Sequence, residues 1–196
     1  MPAKLLDVVD QLVFYGAYHS NKVNVRIHMI CVPILIWTFQ IVLASIPPPS
    51  VFPHFEHTFN SALLFKPNWA IVQASLYLAY YYLLFPTAAF IYTPQSILSV
   101  LSATAVAQNP ENLKYALALH VVCWIAQFYG HGVHERRSPA LLDNLIGAIV
   151  LAPFFVHLEL LFECGYFSGL HKDVRNGIGK EVAKFRRDRA QAKREN

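Results

Sequence analysis

Four stretches free of Asp, Glu, Lys and Arg divide this chain: residues 27–55, 67–110, 115–134 and 144–158. A membrane-spanning helix needs about 20 mostly apolar residues. The first run therefore holds one span, the second two and the third one. The first span is expected from about His28 to Ile46, where Pro47, Pro48 and Pro49 stop it because proline cannot continue a helix. A polar loop with His54, Glu56 and His57 follows. Pro86 and Pro94 break the second run into two kinked helices, and Asn109-Pro110 makes the next turn. The fourth run has only 15 residues, with Pro153 and His157 inside it and Asp143 and Glu159 at its edges. It reads as a re-entrant or interfacial helix. Ser138-Pro139 offers an N-cap and a first helical residue, so a helix is expected to begin there. Upstream, Leu5, Val8, Val9, Leu12 and Val13 recur at helical spacing with acids between them, which predicts an amphipathic helix over 4–17 lying on the membrane surface. The fold class is all-α: a polytopic membrane helical bundle with about four transmembrane helices, an N-terminal amphipathic helix and a re-entrant or interfacial helix.

Composition agrees and charge sets the orientation. The 196 residues are 55% hydrophobic and 14% charged, against roughly 25% charged in soluble domains. Residues 171–196 carry nine Lys/Arg and four acids, and cytoplasmic segments are the ones enriched in Lys/Arg. Lys4, Lys22, Arg26, Arg136 and Arg137 fall on that same side if there are four spans, leaving only Lys66 and Lys114 opposite. A fifth span would send the basic tail across. Both termini are thus expected in the cytosol, with a membrane-embedded catalytic domain at 1–170 and a basic tail at 171–196 near anionic headgroups. Asp7 and Asp10 interrupt any early secretory signal. Cys31, Cys123 and Cys164 are an odd set, expected as core thiols rather than a disulfide framework. A nucleic-acid role needs a basic face on a soluble fold, which this pattern lacks. There is no P-loop, dinucleotide fingerprint or G-x-S-x-G.

The candidate chemistry is in the histidines. "YHSNKVNVRIH", residues 18–28, sets His19 and His28 nine apart, on opposite faces of a continuous helix. They converge only if the chain turns between them, and Ser20, Asn21 and Asn24 favour such a turn. In "QFYGHGVHERRSPALLDN", residues 127–144, His131, His134 and Glu135 share a face if the helix continues past Gly130 and Gly132. Four spans bring His19, His28, His131 and His134 to one membrane face. His120 lies about 16 Å up the helix from His131, so it and His157 are expected to make hydrogen bonds within the bundle. His54, His57 and His171 lie in polar segments. Imidazole suits iron, zinc, copper and nickel, and the histidine pattern is too sparse for the tight boxes of a membrane di-iron site, so a single metal fits best. His134 is the fourth candidate ligand, with a donor behind the ligands or a surface group as the alternatives.

The pattern Y-H-x-N-x-x-N-V-x-I-H-x-x-x-V-P (Tyr18 to Pro33) resembles the fungal 2-hydroxy-fatty-acid dioxygenase family. So does W-I-x-Q-F-x-G-H-G-x-x-E-x-R-x-P-A-L-x-D-N-L (Trp124 to Leu145), followed by L-A-P-x-F (Leu151 to Phe155) and Glu159. From about Ser45 to Tyr115 only hydropathy matches. The resemblance implies a small endoplasmic-reticulum membrane enzyme of phytosphingosine degradation. Such an enzyme uses Fe(2+) and O2 to shorten 2-hydroxy long-chain fatty acids by one carbon. It also implies function for His19, His28 and His131, and Glu135, Arg137, Asn144 and Glu159 fall on family positions. His134 is less firmly matched; without it, Glu135 or water completes the metal shell. Arg137, or else Arg136 or Lys22, is the candidate for the substrate carboxylate. Asn21 and Asn24 are candidates to orient the histidines. The rival readings are a metal-free lipid-binding or scaffold membrane protein, a zinc lipid hydrolase, and a relative acting on another hydroxylated lipid. No protein partner is implied.

Overall fold

The computed structural model describes residues 5–139 and 145–195. Helix α1 (Val8–Gly16) is followed by α2 (Lys22–Ser45), a short antiparallel hairpin of β1 (His57–Asn60) and β2 (Leu63–Phe65), then α3 (Trp69–Leu84), α4 (Pro86–Val106) and α5 (Asn112–Tyr129). A π-helical turn (Gly130–Glu135) extends α5, and α6 (Leu145–Glu163) and α7 (Ser168–Glu195) complete the chain. The protein is an all-α membrane helical bundle. Lys22–Ser45, Pro86–Val106 and Asn112–Glu135 are long and apolar enough to cross a bilayer. Ile149–Glu163 and Ser168–Ala192 meet at a 117° bend, and counted together as one broken span they bring the number to four.

The second apolar run divides as its prolines predict, but unevenly. Asn68 caps α3, its Oδ1 accepting from the Ala70 N–H at 2.9 Å and the Ile71 N–H at 3.2 Å. Pro86 opens α4, where its missing N–H costs nothing. That leaves α3 with 16 residues, about 24 Å against a hydrocarbon core of about 30 Å. Pro94, expected to divide the run, stays inside α4. The polar loop before α3 holds the hairpin, with His57 opposite Phe65 and Thr58 opposite Leu64. Ser138 and Pro139 are not helical; the next described helix starts at Leu145, and the intervening residues lie outside those described.

The chain forms two compact units, Met1–Met29 with Phe128–Asn196, and Ile30–Gln127. In the first, Asp7 caps α1 by accepting from the Asp10 N–H. Part of the apolar face of α1, expected to lie on lipid, packs on protein instead, while Val8, Val9 and Val13 are half-buried and Leu5 is exposed. Leu12 and Tyr15 are buried, α1 packs on α6 and α7, and the Tyr15 and Phe155 rings lie 4.4 Å apart. From Leu151 to Leu158, α6 is buried on most sides, and His157 lies beside Phe154. Helix α7 runs through residue 170 without a break. In the second unit, α3 packs on α4, and polar side chains pair off. Gln40 bonds Gln73 and Ser99, Trp37 bonds Ser102, and Asn68 bonds Thr104. Cys31 and Cys123 are buried thiols; Cys164 is an exposed one.

Candidate metal centre

The turn between α1 and α2 forms as its polar residues suggest. After Gly16 the chain tightens, the His19 N–H donating to the Gly16 carbonyl at 3.0 Å. Asn21 then caps α2: its Oδ1 accepts from the Val23 N–H at 2.9 Å, and its carbonyl accepts the first helical bond from Val25. His19 is carried in the turn and His28 in the second turn of α2, and their ring centroids lie 4.4 Å apart. His131 enters from the π-helical turn, its ring 4.8 Å from that of His19 and 5.0 Å from that of His28. All three side chains are buried, and a ligating nitrogen from each lies within 4.8 Å of the others.

Backbone bonds fix two of the rings. His19 Nδ1 lies 2.8 Å from the Tyr15 carbonyl and His28 Nδ1 3.0 Å from the Asn24 carbonyl, each one helical turn back. A carbonyl can only accept, so each Nδ1 carries the proton and each Nε2 keeps its lone pair. His19 Nε2 and His131 Nδ1 are buried without a hydrogen-bond partner. Leaving such a group unpaired costs about 1–3 kcal/mol. Burial, and then the neighbouring His28, hold the His19 imidazole well below its ordinary pKa against the opposing Tyr15 bond, with smaller effects from His131 and Arg137. The Tyr15 phenol, stacked on His19 at 4.2 Å, is pushed up by burial. A neutral buried imidazole with a free lone pair, one of three clustered together, has the chemistry to ligate a metal. The triad fits a metal ion.

Glu135 has another task. Its Oε1 accepts from the Ser20 N–H at 3.1 Å and from the Ser20 hydroxyl, and its Oε2 from the Asn21 N–H at 2.9 Å and Asn24 Nδ2 at 3.2 Å. Four donors at the entrance to α2 occupy the carboxylate, where the helix dipole also favours negative charge. Asn24, fully buried, connects the parts: its carbonyl orients His28 and its amide reaches Glu135 and the Tyr18 carbonyl. Its Oδ1 lies where any side chain on Gly130 would have to go, 2.5 Å from an ideal Cβ. A side chain there would displace the Asn24 amide from its place beside Glu135.

The structure does not bring His134 into the cluster. The turn after Tyr129 is wound wider than an α-helix, so four residues nearly complete a turn and three do not. Glu135 therefore shares the side of His131, and His134 rotates away to lie 5.4 Å from Tyr129. Its carbonyl is used instead, accepting from Asn21 Nδ2 at 3.1 Å. Arg136 ends the turn in the left-handed region at φ 54°, and its exposed side chain leads away. Arg137 folds back: Nη1 donates to the Ala17 carbonyl at 2.8 Å, and its guanidinium lies 3.7 Å from the Tyr18 ring centroid and 4.2 Å from that of Phe185. Among the described residues no carboxylate pairs with it. Lys22 is exposed, Glu159 is half-buried on α6, and Asn144 lies outside the described residues. The sequence pattern did not single out Tyr15 or Phe185; Tyr15 was legible as the residue one turn before His19.

The family model described as 2-hydroxy-palmitic acid dioxygenase Mpo1-like matches residues 5–164. The chain belongs to this family. It is 34% identical over 176 residues to the 2-hydroxy-palmitic acid dioxygenase MPO1 of Saccharomyces cerevisiae, covering 89% of this chain and 91% of the yeast protein. No solved structure matches. The family match takes in the triad, Glu135 and Arg137 and stops before α7.

Proposed function

We propose that the protein is an iron(II)-dependent dioxygenase that converts 2-hydroxy fatty acids to fatty acids one carbon shorter. The observation that carries this reading is the buried triad of His19, His28 and His131, two of whose nitrogens have no hydrogen-bond partner, in a chain of the Mpo1-like family. The reaction RCH(OH)COOH + O2 → RCOOH + CO2 + H2O is balanced: four electrons leave the acid and four enter O2, so no 2-oxoglutarate or reductase is required. Iron(II) held by the three histidines would supply O2 activation and a chelation point for the acid's carboxylate and hydroxyl oxygens.

The remaining work falls to the protein. The Tyr15 and Asn24 carbonyls keep protons on His19 and His28 Nδ1 and so aim Nε2 inward. Tyr15 and Phe155 pack beside His19 and exclude water from that side. Glu135 and Asn24 hold the turn carrying His19 against the turn carrying His131. Arg137 receives the substrate carboxylate. Its charge is near enough to His19 to bear on that imidazole. With aromatic rings beside the guanidinium, its N–H rim is the part left to accept a carboxylate. The acyl chain stays in the bilayer. The same reading puts the protein in the endoplasmic-reticulum membrane, with both termini in the cytosol, where the Lys/Arg distribution favours them.

The test is oxygen uptake by purified, iron(II)-reconstituted protein given 2-hydroxypalmitate, with the product chain length read by mass spectrometry. A C15 acid with one CO2 released per O2 consumed is expected. Iron-loaded protein that consumes no oxygen would refute the substrate, and a C15 acid formed without oxygen uptake would refute dioxygenation, because the four electrons would have to leave to another oxidant.

A further inference from the structure

Helix α7 is the most polar part of the chain, and its charge alone makes it a solvated tail. Its contacts give it a second character. Val174 is buried, and Gly177, Ile178, Val182 and Phe185 are half-buried while most residues between and beyond them are exposed. Those positions recur every three or four residues, one stripe along the helix. The stripe lies on α1: any side chain at Gly177 would overlap Val13, which brings the two backbones close. One turn beyond Val182, the stripe ends on the corner that leaves the metal centre. Phe185 covers Arg137, and Arg189 Nη1 donates to the Arg136 carbonyl at 3.2 Å. Arg136 holds a left-handed backbone that L-residues adopt at a cost, so something must hold the corner, and Arg189 bonds its carbonyl.

We propose that α7 is a positioning element of the active site, with Phe185 and Arg189 fixing Arg137 in the orientation that receives the substrate carboxylate. The inference rests on the reading of Arg137 as the carboxylate receptor. A planar guanidinium held, among the described residues, by one carbonyl bond can swing about its stem. The Tyr18 ring constrains it from one contact and the Phe185 ring from another, leaving fewer orientations for the N–H rim. Phe185 touches neither the triad nor, by this account, the substrate. It acts through Arg137.

The experiment uses the full-length, iron(II)-loaded protein in detergent, with Arg137→Ala, Phe185→Ala, Phe185→Tyr and Arg189→Ala compared with wild type. Three quantities are read: iron content, the KM and kcat for 2-hydroxypalmitate, and, without oxygen, the binding preference for that acid over its primary amide. Phe185→Ala is expected to raise KM roughly three- to tenfold and cut the acid-over-amide preference by the same factor, with iron content and kcat held. Phe185→Tyr should restore both. Arg189→Ala, an exposed change that leaves the stripe intact, should shift KM in the same direction by a smaller factor. If Arg137→Ala abolishes the acid preference while Phe185→Ala and Arg189→Ala leave it unchanged, the role of α7 is wrong. If Arg137→Ala leaves the preference intact, the carboxylate reading beneath it is wrong instead. Loss of iron in Phe185→Ala, with Arg189→Ala silent, would make α7 purely structural and overturn the proposal.

Discussion

His120 and His131 sit on the same stretch of helix, eleven residues apart, yet the two imidazoles have opposite situations. His120 has both nitrogens engaged: Trp124 Nε1–H donates to Nε2 at 3.0 Å, which leaves Nδ1 to donate to the Thr38 hydroxyl at 2.8 Å. Thr38 Oγ1 in turn lies within hydrogen-bond reach of the Ile34 and Leu35 carbonyls. That is a closed chain with nothing left for a ligand. His131 and His19 each bury a nitrogen with no partner, in a cluster of three. His131 is buried and His120 half-buried, but what most separates these two imidazoles is hydrogen-bond completeness. A buried polar atom left open costs stability, and a cluster of three imidazoles in which two nitrogens are left open has the donor set of a metal site.

The contrast can be broken most forcefully at the triad. His131→Ala is expected to lower dioxygenase activity by at least about 100-fold, the upper end of what losing a mere supporting partner of a ligand costs. Oxygen uptake checks it, and a residual rate near wild type would remove His131 from the chemistry. Glu135→Gln keeps the shape but gives up an oxygen that serves Ser20 or Asn21 and Asn24. Metal affinity should fall roughly tenfold, measured by competition with a chelator.

Acid sharpens the comparison further. His19 is held neutral in the folded protein below its ordinary pKa, so as pH falls under about 6.5 the unfolded chain takes up a proton that the fold refuses. The metal-free protein should be insensitive to His19 above pH 7. Below 6.5 it should lose about 1.4 kcal/mol per pH unit on that account, until the folded group itself titrates. Denaturant midpoints of metal-free wild type and His19→Phe across pH 5–8 test the sign, and parallel curves would contradict it. The smallest functional effect belongs to His120→Phe. Removing the imidazole that Trp124 Nε1–H and the Thr38 hydroxyl bond should cost roughly 1 kcal/mol of stability while leaving metal content untouched.

Much of the site was legible because the relevant physics is local. Ser20, Asn21 and Asn24 announce a turn, and a turn is what folds His19 back on His28. His120 could be set aside on distance along one helix. What failed was an assumption of α-helical winding: the π-turn at Gly130–Glu135 puts His134 off the site and gives Glu135 to the entrance of α2. Nothing in "GHGVHE" distinguishes the two windings, because Gly130 is explained only by Asn24, more than 100 residues earlier. The short α3 and the hairpin before it were hidden in the same way, since a charge-free run has no mark for where helix begins until Asn68 is seen to cap it. The apolar stripe of α7 was visible in Val174, Ile178, Val182 and Phe185, but nine basic residues obscured it.

The most direct test of the account is the metal content of purified wild type, His131→Ala and His120→Phe, counted by mass spectrometry after reconstitution with iron(II) and removal of excess. One iron per chain in wild type and in His120→Phe, and none in His131→Ala, is the predicted result. Wild type that turns over substrate without metal, or a His131→Ala protein that keeps a full iron, would contradict it.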